Sequence, residues 1–167
     1  MPEIIHICPP FDPATHKALD AWDETRDGEL LIRTQRVAAK TADDLAAELA
    51  AEKAGVKARV NALRRQRVED GIEVAGTRLR ADGDTRANLT GALALFAADP
   101  TLTAIDWEIQ PGQWLAVDPA ALQALGVAVG RHVQGCFSRA RALHAAIDAA
   151  SDPAALRAID LAAGWPG

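Results

Sequence analysis

One apolar seam near the C-terminal end constrains this chain more than any other feature. Leu122, Val129, Cys136 and Leu143 fall seven residues apart, and Leu125, Val133, Ala140 and Ile147 fill the flanking face. That spacing puts one apolar stripe on an α-helix and fits no strand. Asp118-Pro119 marks the start, an acidic cap followed by proline at the first helical position, and the pattern runs to about Ala150. Arg131, Gln134, Arg139 and Arg141 sit largely off the stripe. A helix this long with one apolar face must be covered by other elements or by other chains.

A second helix is predicted from Ala42 to about Asp70, with Thr41 as its N-cap and Asp43 and Asp44 in its first turn. Leu49, Val56 and Leu63 repeat every seven residues, while Leu45 and Val60 widen the seam. Glu52, Arg59 and Gln66 interrupt the other seam position. This is a heptad pattern of coiled-coil character over about three repeats. It predicts self-association through Leu45, Leu49, Val56, Val60 and Leu63. The alternative is a one-sided helix lying on its own domain. Gly55 lowers helix stability by about 1 kcal/mol relative to alanine.

Between the helices, Ile72–Val74 and Thr77–Arg80 flank Ala75-Gly76 and read as a β-hairpin. Asp84 is expected to cap a helix over Thr85–Ala98, which Asp99-Pro100 ends. A second hairpin pairs Ala104–Ile109 with Trp114–Val117 around Gln110-Pro111-Gly112-Gln113, with proline and glycine in type II turn positions.

At the N-terminus, Ile4, Ile5 and Ile7 suggest a short strand before Cys8-Pro9-Pro10-Phe11-Asp12-Pro13, whose prolines favour an extended arm. Residues 14–28 are polar and mixed, with Trp22 as the only Phe, Trp or Tyr ring, and Glu29–Val37 is a strand candidate. The expected fold class is α+β, mainly helical: long helices with two small β-hairpins and an extended N-terminal arm. The expected divisions are an arm and strand segment at 1–40, a helix at 41–69, a compact α+β domain at 70–150 and a C-terminal tail at 151–167.

Composition adds a warning about the core. The 167 residues include 37 alanines against 3 Phe, 4 Trp and no Tyr. Alanine buries little area, so such a chain gains less from burial than a ring-rich one and leans on long helices or on other copies. The longest apolar run, Ala92–Ala98, is far short of the roughly 18 residues that cross a bilayer, so no membrane insertion is expected. The first ten residues lack the basic and long apolar regions of a secretory signal. Cys8 and Cys136 make no disulfide framework.

Charge is uneven: net -6 over residues 1–52, +5 over 53–80 and -4 over 81–167. The basic block, with Lys53, Lys57, Arg59, Arg64, Arg65 and Arg67, lacks stacking rings in an acidic chain. It reads as a solvated helix face that pairs with acidic segments, and no nucleic-acid partner is expected.

Catalytic patterns are weak. His6 with Cys8, and His132 with Cys136, have the chemistry of a tetrahedral zinc set. Nothing in the sequence brings the two pairs together, and Cys136 lies in the apolar stripe. Asp82-Gly83-Asp84 lacks the later ligands of a calcium loop. Asp106 and Glu108 share a strand face, which reads as an exposed hairpin surface. Ser138 and Ser151 lie in no nucleophile elbow, and no glycine-rich phosphate loop is present. No catalytic, cofactor or metal residue is assigned, and a structural or interaction role is expected. Candidate partner contacts are Pro9, Pro10 and Phe11 in the arm and Trp107 and Trp114 on the second hairpin, the tryptophans having core packing as their alternative.

The stretch from about Arg64 to Gly167 resembles the domain of unknown function family 4376, found among phage tail and tail-fibre proteins. The resemblance rests on the Gly71–Gly76 hairpin, the Asp82/Asp84 turn, Arg86-Ala87-Asn88-Leu89-Thr90-Gly91, Trp107 and Trp114, His132-Val133-Gln134 with Phe137, and the closing Trp165-Pro166. It implies a component of a tail fibre or tail tip, made in the host cytoplasm and carried in the virion. It also implies association with its own copies, often threefold, and with neighbouring tail proteins. A fibre-assembly chaperone and a module binding a host surface receptor are the alternatives.

Overall fold

The computed structural model describes residues 3–74 and 76–167. The chain forms two compact units, Met1–Ala51 and Glu52–Gly167.

The first unit holds β1 (Glu3–Ile7), β2 (His16–Asp27), β3 (Leu30–Ala39) and the first turns of α1 (Ala42–Asp70). The strand order is β1-β3-β2, with β1 parallel to β3 and β2 antiparallel to it. The expected extended arm is therefore replaced by a three-stranded sheet; only the proline-bearing segment between β1 and β2 stays out of it. The polar stretch 16–27 becomes a strand because β3 supplies its pairing. Gly28, at φ 63°, makes the tight return that sets Asp27 against Leu30. A register shift between Ala18 and Trp22 absorbs the mismatch farther along. The His6 and Trp22 rings meet edge to face at 5.2 Å, and Arg33 Nη2 pairs with Glu24 across the sheet at 2.6 Å.

Thr41 caps α1 as expected. The Asp44 amide donates to Thr41 Oγ1 (3.1 Å) and the Thr41 amide donates to Asp44 Oδ2 (2.8 Å), a reciprocal box. Lys17 on β2 donates to the same carboxylate at 2.6 Å. The Lys17 hydrogen bond, followed by those from Thr41, holds Asp44 at about 2, against an ordinary value of 3.8. A depressed carboxylate stabilises the fold above its ordinary pKa and loses that contribution as pH falls through the folded value. The cap is thus expected to stay intact at pH 4 and above and to open as pH falls toward 2. Following the Thr41 amide by NMR checks this, and Lys17→Met should move the midpoint upward.

The second unit begins within α1 and adds β4 (Ile72–Val74), β5 (Thr77–Leu79), α2 (Gly83–Ala98), β6 (Ile105–Gln110), β7 (Gln113–Val117), α3 (Pro119–Ala149) and α4 (Pro153–Arg157). Both hairpins form antiparallel pairs. Gly112 takes φ 78° in the second turn, as its type II position requires; Ala75, assigned to the first turn, lies outside the described residues. Asp82, not Asp84, caps α2: its carboxylate accepts from the Thr85 amide at 2.9 Å. Asp118 caps α3 in the same way through Ala121 (2.7 Å), with Pro119 at the first position.

The seam of α3 is the spine of this unit. Leu122, Val129, Cys136, Leu143 and Ile147 are all buried, and β4, β5, α2 and the second hairpin contribute Ile72, Leu79, Leu89, Trp107 and Val117 to the core. The C-terminal part of α1 runs antiparallel to α3. Lys57 Nζ pairs with Asp148 at 2.6 Å, the Arg64 guanidinium lies 4.3 Å over the Phe137 ring, and His132 Nε2 donates to the Arg67 carbonyl at 2.8 Å. Val60, in the middle of this packing, is 0% exposed. The C-terminal segment also docks. Arg139 Nη2 donates to the Asp160 carbonyl at 3.0 Å, and a Cβ on Gly135 would meet Pro166 at 3.2 Å. Among the described residues, no helix is long and apolar enough to cross a membrane.

Candidate functional site

Packing removes two residues from the surfaces assigned to them by sequence. Val60 belongs to the chain's own core, because the half of α1 that carries it is covered by α3. Val56 and Leu63 are half-buried, and Val56 shares a concavity with Leu156, Ile159 and Leu161 of the C-terminal segment. The heptad pattern of α1 therefore has an intrachain use from Val56 onward. Leu45 is exposed and Leu49 half-buried in the first unit. Trp107 is buried, its ring packed into the core of the second unit. Trp114 is 64% exposed, and Leu115 is exposed on the opposite face of β7. In the arm segment Pro9 is half-buried, while Pro10 and Phe11 are exposed.

The two cysteine–histidine pairs lie in different units. His132 spends its Nε2 proton on the Arg67 carbonyl, and Cys136 Sγ lies 3.8 Å from that nitrogen. Burial pushes the Cys136 thiol up, against the reactive direction. His6 packs on Trp22. Among the described residues, no group of three or more His, Cys, Asp or Glu side chains is placed to hold a metal. Glu108 serves the hairpin turn, its Oε1 accepting from the Gly112 amide at 2.8 Å.

The surface feature that sequence reasoning missed is the first unit itself. Among its described residues none is buried. Ile4, Ile5 and Ile7 are 47%, 40% and 43% exposed, and Phe11 is exposed as well. The register sets Ile5 beside Ile32, with Leu30 and Ile7 on the same face, and Ile4 beside Leu31 on the other. β1 is an edge strand, so one row of its backbone donors and acceptors has no partner strand within the sheet. The isoleucines were legible as strand formers; their lack of cover was not.

These elements define an α+β protein with a cored, mainly helical unit preceded by an open sheet. The chain belongs to the family of the domain of unknown function DUF4376, whose model matches residues 50–163. That match begins beside the division between the two units at Ala51 and Glu52, so the family domain takes in most of α1 rather than starting after it. No curated protein and no solved structure matches the chain.

Proposed function

We propose that this chain is a non-enzymatic structural component of a bacteriophage tail, in a fibre or tail tip. Its DUF4376 unit is the folded body, and its N-terminal sheet attaches the body to other copies and to neighbouring tail proteins. The observation that carries this reading is the uncovered sheet. A unit with exposed Ile4, Ile5, Ile7 and Phe11 and no buried residue among those described completes its burial against another chain. Leu45 and Leu49 on the first turns of α1 extend the same apolar surface chemistry. The tail context comes from the resemblance set out above.

A second reading, a module that binds a host surface receptor, is favoured by one feature: the Trp114 ring, 64% exposed on β7. A fibre-assembly chaperone uses the same sticky sheet but leaves before the particle is complete. Mass spectrometry of purified virions separates them. Stoichiometric presence supports the tail component, and absence from the virion contradicts it.

A further inference from the structure

In the second unit, three segments that are far apart in sequence converge on one concavity of about 280 Å³. Arg64 and Arg65 come from α1, Gly83 and Arg86 from the first turns of α2, and Phe137 from α3. We propose that this concavity is a binding site for a single oxyanion, a carboxylate or a phosphate.

Charge is the first reason. Among the described residues, none of Arg64, Arg65 and Arg86 lies within salt-bridge distance of a carboxylate. Two acids line the same concavity. Asp82 is already engaged, accepting from the Thr85 amide at 2.9 Å and pairing with Arg80 at 3.2 Å. Glu69 stands four residues beyond Arg65 and makes no bridge among those described. The lining thus sets three guanidinium groups against two carboxylates and keeps an excess of one positive charge, with Asp82 answering part of the Arg86 charge. The positive end of the α2 dipole adds to the same field.

Shape and placement are the second reason. Arg64 is held by the Phe137 ring at 4.3 Å, and Arg86 by its Nε donation to the Asp82 carbonyl at 3.1 Å. Both are pre-oriented, which lowers the cost of ordering them around a ligand. Guanidinium forks match the two oxygens of a carboxylate or phosphate. Phe137, 46% exposed at the rim, is the platform that holds Arg64 in place.

The test is a two-probe NMR titration of the full chain at low ionic strength, with inorganic phosphate and with glucuronate. The expected result is shifts centred on Arg65, Gly83, Arg86 and Phe137 with at least one probe. Arg65→Gln and Arg86→Gln should each weaken that binding by about tenfold, and Arg157→Gln, which lines a different concavity, should leave it unchanged. A response to glucuronate alone identifies a carboxylate site, and a response to phosphate alone a phosphate site. No localised shift with either probe, or equal weakening by all three variants, overturns the proposal. Both arginines of the test are exposed, so the variants keep their fold.

Discussion

Gly71→Ala is expected to destabilise the C-terminal unit by more than about 3 kcal/mol. Gly71 sits between α1 and β4 at φ 72°, a left-handed conformation that costs a residue with a Cβ about 1–2 kcal/mol. The added carbon would also clash with the Leu79 carbonyl oxygen and fall 2.7 Å from the Arg80 Cα. These are backbone atoms, so no side chain can swing away. Relief requires parting β4 from β5 where Ile72 faces Leu79, and both residues belong to the core. Losing the burial of either costs about 1.5–3 kcal/mol. Gly76→Ala is the internal control. It has a similar φ of 77° but nothing within 4 Å of the new carbon, so it should lose only the conformational share. Denaturant unfolding of the two variants checks both the size and the order.

Val60→Asp is the second large effect. At 0% exposure, the new carboxylate has no solvent, and an uncompensated buried charge costs about 3–5 kcal/mol. Leu45→Asp, on an exposed position of the same helix, should change stability by no more than about 0.5 kcal/mol. If both positions formed one self-association seam, both substitutions would dissociate an oligomer and leave the protomer folded. The structure calls for the opposite split, read by circular dichroism: an unfolded C-terminal unit for Val60→Asp and native helicity for Leu45→Asp.

These contrasts show what the sequence made legible. The α3 helix was readable end to end, because its seam repeats over many turns and Asp118-Pro119 fixes its start. The hairpins were readable from turn chemistry at Gly76 and at Pro111-Gly112. β2 was not, because its residues carry no apolar alternation; its strand character comes from pairing with β3 across the Gly28 turn. The heptad pattern of α1 was read as a self-association seam, but periodicity does not say whose surface covers it. Val60 turned out to be buried within its own chain, and Trp107 to fill its own core. The arginine hollow left even less local trace. Arg64 and Arg65 look like part of a solvated basic helix, and only the antiparallel packing of α1 on α3 brings them to Phe137 and Arg86.

The central claim is that the chain associates through its N-terminal sheet while the family domain folds by itself. Light scattering of the full chain at micromolar concentration, beside an Ile5→Asp/Ile7→Asp variant, tests it most directly. Ile5 and Ile7 share one face of β1, and neither belongs to the buried core of the second unit. The expected result is an oligomer for the natural chain and a monomer for the variant, with unchanged unfolding of the C-terminal unit. A monomeric natural chain, or a variant that keeps the full oligomer mass, would contradict it.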